Sequence, residues 1–359
     1  MTGGILLAAA AWHVATHELL GIAAVGVAVS TIDDCAVDLI YLLLWLRRRI
    51  VRDDIGPAAI LPIGTGWMAI IVPAWDEAAV IAAMLCSLTT RIDHPRYRVF
   101  VGAYPNDPAT QNAIKSVGDP RIEPVICSRR GPTTKADCLN HLWRAIIAHE
   151  NRAAIRFKAV VLHDAEDIVD PHELRVFDHL IPGLAMVQLP VIPLVDPTSR
   201  WVSGNYLDEF AESHGKDVLV RGAIGAAVPS AGVACAIDRE VLGRIADDAT
   251  GSPFDPASMT EDYELGMKIA ALGHRSVLVR IPGVNGGRSR RHSRAFSGHA
   301  RNRHPAEDPL VARYRAEWLG PDRLAGRLRQ PVHAPARSQD DRCAADCGVR
   351  LPCCRGVPC

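Results

Sequence analysis

The run Val160-Val161-Leu162 passes without a break into His163-Asp164-Ala165-Glu166-Asp167. An apolar run this short, bounded by polar residues, is a buried strand rather than a helix. Acids crowded at its carboxyl end repel one another unless a cation or a cationic ligand shares them. In open α/β sheets that edge is also where ligands bind. On an extended chain Asp164 and Glu166 point the same way, so both carboxylates reach one hard metal. A solvated acidic loop is the competing reading, and the rest of the chain decides between them.

The flanking sequence supports a sheet. Met68 to Pro73 is a buried strand closed by proline, and Ala78 to Leu88 is helical, with Asp76 and Glu77 enriching its first turn. Tyr97 to Ala103 is a second strand, ended by the turn cluster Tyr104-Pro105-Asn106-Asp107-Pro108, where Asn106 or Asp107 is also a plain strand terminator. Lys135 to Ala148 is a helix that leads into the acid-tipped strand. This alternation predicts an α/β fold with a mostly parallel sheet covered on both faces. Asp170-Pro171-His172-Glu173 reads as a helix start, with Asp170 as cap and Glu173 completing a capping box. Pro190, Pro193 and Pro197 mark irregular chain, and the small, glycine-rich run Ala223 to Ala236 permits close backbone approach to a ligand. Thr260-Glu261-Asp262 opens a further helix from Met259 to Ala271 that stops at Gly273; Ser258 and Glu261 make a capping box the bland explanation of those acids.

Upstream, Ile5 to Ile32 is nearly continuous apolar sequence, followed by Asp33, Asp34 and Asp38, a second apolar run to Leu46, then Arg47, Arg48, Arg49 and Arg52. A bilayer takes about 20 apolar residues, so one span fits between Ile5 and Leu46. No basic n-region or small-residue cleavage site precedes it, which favours a retained anchor. The arginines put the rest of the chain in the cytoplasm. A helix buried in the domain core is the alternative. The 40 basic and 40 acidic residues balance, which argues against a nucleic-acid partner. Cys35, Cys86, Cys127, Cys138 and Cys235 lie in apolar surroundings and read as buried free thiols of a reducing compartment.

Four motifs occur in order: Val72-Pro73-Ala74-Trp75-Asp76-Glu77, Asn106-Asp107, Asp164-Ala165-Glu166 and Thr260-Glu261-Asp262. As a set they resemble the family 2 glycosyltransferases of GT-A fold. Tyr104 to Pro108 and His163 to Asp167 are similar in wording to membrane glycosyltransferases of the phage-adsorption-protein-B type. The resemblance covers roughly residues 15 to 283. It implies a GT-A domain over 67–283 with a mixed, mostly parallel sheet flanked by helices. A membrane anchor over 1–50 and a linker over 51–66 would precede it, with an irregular tail over 284–359. It further implies inverting transfer from a nucleotide-diphosphate sugar, activated as a UDP derivative, to a glycan or lipid-linked acceptor of the bacterial envelope. The catalytic domain would face the cytoplasm from the inner membrane, with an envelope partner protein. Asp164 and Glu166 would hold Mg2+ or Mn2+. Pro73, Asp76, Glu77, Asn106, Asp107, Lys135 and Asp164 would line the nucleotide, Asp262 would be the general base beside Glu261, and Gly222 to Gly232 would line the acceptor side. The other reading that the resemblance leaves is a non-catalytic nucleotide-sugar-binding or phage-receptor component.

The tail departs from that pattern. Membrane members of the family carry a Q-x-x-R-W motif and more spans after T-E-D, and neither stands in this frame. Past Gly286 the chain turns to Arg, His and Pro, then to five cysteines among its last seventeen residues, at spacings that suit no common zinc site. Arg288 to Arg303 would serve a nucleic-acid arm. A frameshift explains more. Back-translating from His304 and starting one nucleotide late permits I-R-Q-K-T-R-W, and the cysteine-rich end then permits an apolar run. The expectation is that the chain past about Gly286 is a frameshift product with impaired transfer.

Overall fold

The structure is a computed structural model that describes residues 2–47, 61–193, 199–249, 251–258, 260–280 and 292–294. It divides into two compact units, Met1–Ile50 and Val51–Cys359. The first holds one helix, α1 (Thr2–Leu46), of 45 residues. At about 1.5 Å rise per residue it exceeds the roughly 30 Å of a hydrocarbon core. Its segment Ala10–Leu46 is long and apolar enough to cross a membrane, and none of its apolar window is buried in the protein. That is not how a core helix sits.

In the second unit, β1 (Trp67–Pro73), β2 (Tyr97–Ala103), β3 (Ile122–Ile126) and β4 (Phe157–Leu162) alternate with α2 (Ile81–Arg91), α3 (Pro108–Ser116) and α4 (Lys135–Ala153). Then follow β5 (Asp167–Ile168), α5 (Glu173–Leu180), β6 (Met186–Gln188), β7 (Val191–Pro193), α6 (Arg200–Glu212), a π-helical turn (Ser213–Asp217) and α7 (Val218–Ile224). Next come β8 (Cys235–Asp238), α8 (Arg239–Asp248), α9 (Glu261–Ala271), β9 (Ser276–Leu278) and β10 (His292–Arg294).

The main sheet has seven strands in the order β3-β2-β1-β4-β8-β6-β9. The strands β3, β2, β1 and β4 run parallel, and β8 runs antiparallel to both β4 and β6. Ile71 faces Phe100 on one side and Leu162 on the other. The chain therefore winds outward in opposite directions from β1, which opens a crevice at the carboxyl ends of β1 and β4. Because β8 is reversed, it enters the sheet at that same edge, with Cys235 opposite Leu162. Met68 to Val72 are buried, and helices cover both faces of so apolar a strand.

Several elements differ from the sequence reading. An edge strand, β3, interrupts the expected helix-to-strand succession; it is half-buried and carries Pro124, which edges tolerate. A short strand, β7, occupies part of the proline-marked stretch, and another, β6, ends just before it. Past Gly286, where no strand period is legible, His292–Arg294 pairs with β5 and β7 in a second, three-stranded sheet. Backbone pairing of three residues needs no side-chain period. Of the five scattered cysteines, Cys127, Cys138 and Cys235 are buried, Cys86 is half-buried and Cys35 is exposed on α1. Met259, most of the 51–66 stretch and, apart from His292–Arg294, the tail from residue 284 lie outside the described residues.

Candidate active site

The acid-tipped strand ends at Leu162, and the residues after it form a turn rather than an extended chain. The amide of His163 donates to the Ile71 carbonyl (3.1 Å), and the Asp167 amide donates to the Asp164 carbonyl (3.2 Å). Strand alternation therefore does not align Glu166 with Asp164, which corrects the first argument for that pairing. What fixes Asp164 is the buried base beneath it. The His163 ring lies between Asp167 Oδ2 (3.1 Å) and Glu173 Oε1 (2.8 Å), and all three side chains are fully buried. Asp167 Oδ2 also accepts the Asp164 amide at 3.0 Å. Burial pulls the His163 pKa down, but Glu173 and Asp167 outweigh it and push it up to about 10. Glu173 is thus a counter-ion and not part of a capping box. The cap of α5 is His172, whose side chain makes no capping hydrogen bond, and Asp170 accepts the His172 amide.

Three further charges converge on Asp164. Lys135 is the first residue of α4, and its Nζ lies 2.7 Å from Asp164 Oδ1. At the start of α9, Glu261 is buried, and its carboxyl is pushed above the usual carboxylate range by that burial. The nearby Lys135 opposes the shift, and Asp262 and Asp164 add to it. Burial pushes the Cys235 thiol up to about 12, with Asp262 raising it and Lys135 lowering it. Charges on α4, α9 and the turn after β4 therefore lie near enough to act on one another. No side-chain cap from Ser258 or Thr260 forms at α9, so a capping box does not account for Glu261.

Asp262 is seated by a loop the sequence reading had assigned to the acceptor side. Gly232 has φ +71°, and a side chain there would collide with Asp262 Oδ2. The loop is held by the fully buried Gln188, whose Nε2 donates to the Val233 carbonyl (2.9 Å) and whose Oε1 accepts the Ala231 amide (2.9 Å). The close approach that glycine permits is therefore to a carboxylate of the chain itself.

A second cluster lies at the ends of β1 and β2. Asp107 caps α3: its Oδ1 accepts the Thr110 amide (3.1 Å) and its Oδ2 the Asp76 amide (2.7 Å). Burial opposes these bonds, but they hold the carboxyl below its ordinary pKa. The Glu77 amide donates to Thr110 Oγ1 at 3.0 Å. These ties twist Asp76 to φ +57°, so α2 starts only at Ile81 and neither Asp76 nor Glu77 is in its first turn. Asn106 takes both backbone groups of Gly131, donating to its carbonyl (2.9 Å) and accepting its amide (2.7 Å). A side chain at Gly131 would strike the Trp75 ring, which packs edge-on against Tyr104 at 5.1 Å. Asn106 and Asp107 thus frame a polar shelf around Trp75 and Tyr104, with Pro73 closing β1 behind it. Trp75, Thr110, Gly131, Gln188 and His163 escaped the sequence reading as site residues. Trp75 and His163 stand inside the motifs quoted there, whereas Thr110, Gly131 and Gln188 left no signal.

Among the described residues no group of three or more His, Cys, Asp or Glu side chains forms a ready metal cage. One or two carboxylates are a donor set that fits Mg2+ or Mn2+, ions that keep water or phosphate oxygens as their other ligands. Among the described residues, Lys135 pairs with Asp164, and Glu261 and Asp262 add negative charge near it.

The family described as Glycosyltransferase like family 2 matches residues 65–303. Bacteriophage adsorption protein B of Escherichia coli strain K12 is 38% identical over 292 residues, covering 76% of this chain and 37% of its own. Bacteriophage N4 adsorption protein B of E. coli O157:H7 gives the same figures. The chain thus spans little more than a third of the length of these relatives. Among solved structures, a Pyrobaculum calidifontis mannosyltransferase in complex with GDP-Man and Mn2+ is 20% identical with a TM-score of 0.45, over 75% of this chain and 67% of its own. A Mycobacterium tuberculosis glucosyl-3-phosphoglycerate synthase in complex with Mg2+ and UDP is 20% identical with a TM-score of 0.36, over 63% and 71%.

Proposed function

Because the chain belongs to the glycosyltransferase-like family 2, we propose that it transfers a sugar, with inversion, from a nucleotide-diphosphate sugar to an acceptor hydroxyl. The observation that carries this reading is the convergence of Asp164, Lys135, Glu261 and Asp262 on one cleft at the carboxyl edge of β1 and β4.

Each group has a task in that reaction. The shelf of Trp75, Tyr104, Asn106 and Asp107 receives the nucleoside of a UDP-sugar. Asp164, with the longer Glu166 reaching from the turn, would hold Mg2+ or Mn2+, whose chemistry there is to neutralise the leaving diphosphate. Lys135 presents its ammonium to the same phosphates. Asp262 takes the proton from the acceptor hydroxyl as that oxygen attacks the anomeric carbon opposite the leaving group. Gly232 holds the Asp262 carboxylate at its station. The acceptor is an envelope glycan or a lipid-linked sugar, in keeping with a helix that can cross a membrane and with relatives named for bacteriophage adsorption. An envelope partner protein belongs to the same reading, with the catalytic domain on the cytoplasmic side of the bacterial inner membrane.

The tail restricts this activity. The family match ends at residue 303, next to His304, where a one-nucleotide shift permits the missing Q-x-x-R-W. With the chain past about Gly286 taken as a frameshift product, this polypeptide binds nucleotide weakly and transfers slowly. Reading the gene tests the shift: codons that cannot encode Q-K-T-R-W in the next frame rule it out.

Asp262→Asn in the frame-restored protein tests the enzyme. Transfer should fall by about 10²–10⁴-fold while UDP binding survives. Undiminished transfer would remove Asp262 from catalysis, and absence of transfer in the unsubstituted protein would favour a binding component.

A further inference from the structure

We infer that Lys135 is the resident cation of the acidic cleft, and that its ion pair with Asp164 makes metal binding depend on nucleotide. This deepens the nucleotide-sugar reading above and rests on it.

Lys135 opens α4, where a positive side chain opposes the helix dipole. Thr134 and Asp137 suit that terminus: Thr134 Oγ1 caps it by accepting the Asp137 amide at 3.3 Å. A cation inserted between them is locally unfavourable, and the acids across the cleft supply the compensation. Its Nζ sits 2.7 Å from Asp164 Oδ1, with the lysine side chain 30% and the aspartate side chain 11% exposed. That geometry is a charge-assisted, partly desolvated pair rather than a solvated surface contact. Its charge also bears on Glu261 of α9 and on Cys235 of β8.

A carboxylate engaged by an ammonium must loosen that pair before it can ligate a divalent ion. Lys135 therefore competes with the metal for Asp164. A diphosphate changes the balance, because its oxygens give the ammonium a second partner. The four-carbon stem of lysine lets the head swing while its base stays in the helix. Nucleotide drawing Lys135 away from Asp164 should tighten metal binding, and by linkage metal should tighten nucleotide binding by the same factor.

The test is Mn2+ binding followed by the electron paramagnetic resonance of the free ion, with the full chain, with and without UDP. Lys135→Met should bind Mn2+ alone at least about tenfold more tightly than the unsubstituted chain. The gain in Mn2+ affinity on adding UDP should shrink in that variant, while Lys135→Arg should keep it. Lys135→Gln is read in the same way should the methionine variant not fold. Unchanged or weaker Mn2+ binding in the neutral variants, with the UDP effect intact, overturns the inference and leaves the glycosyltransferase reading standing. A frame-restored chain that binds neither Mn2+ nor UDP overturns that reading itself.

Discussion

Asp262 and Gly232 act as one unit. The glycine has φ +71°, and any Cβ there would overlap the carboxylate it faces. Gly232→Ala should therefore do two things: strain a left-handed backbone by about 1–2 kcal/mol and push Asp262 off station. Transfer by the frame-restored variant should fall by at least about 10²-fold. UDP binding and overall fold should persist; a fully active alanine variant would dissociate the glycine from the base. His163 gives a second residue-scale prediction. Burial disfavours its charge, yet Glu173 and Asp167 raise its folded pKa to about 10, above an unfolded value of about 6.5. The stability it contributes is complete below about pH 6.5 and is lost as pH rises towards 10. Between those limits the unfolding free energy should decline by up to about 1.4 kcal/mol per pH unit. Denaturant titrations at pH 7 and pH 9 should show this decline in the unsubstituted chain and not in His163→Asn. An equal decline in both would refute it.

At the scale of elements, what was legible and what was not divides by how much each element depends on its own sequence. The strands β1, β2 and β4 are continuous apolar runs that must be buried on both sides, and their positions follow from that. The helices α4 and α9 were legible from their start signals and length. Less legible was everything set by side chains reaching between elements. Asp107 binds the Asp76 amide from the next strand over and so delays α2. Glu173 opens α5 as its sequence announces, but its side chain serves the buried His163 rather than a capping box. Among site residues, Asp164, Glu261, Asp262 and Lys135 do converge, whereas Asn106 and Asp107 spend their side chains on the frame. The far end of α4 offers a test of how that helix is held. Glu150 is buried and accepts from Arg239 (2.8 Å) and from the Phe157 amide (3.0 Å), with the guanidinium 4.7 Å from the Trp143 ring. Glu150→Ala leaves Arg239 buried without that partner and should cost about 3–5 kcal/mol in urea unfolding. A loss under about 1 kcal/mol would show that packing, not the ion pair, anchors the helix.

For the molecule as a whole, the proposed function joins a helix fit to cross a membrane with an α/β unit that gathers acids at one sheet edge. The claim on which this rests is that negative charge gathered at the carboxyl edge of the sheet exists to hold a cation, and through it a diphosphate. The most direct measurement is UDP affinity by titration calorimetry, with and without Mn2+, for the unsubstituted chain and for Asp164→Asn. The account predicts that Mn2+ strengthens UDP binding in the unsubstituted chain and that the substitution removes most of that gain. Equal UDP affinity in all four conditions would contradict it.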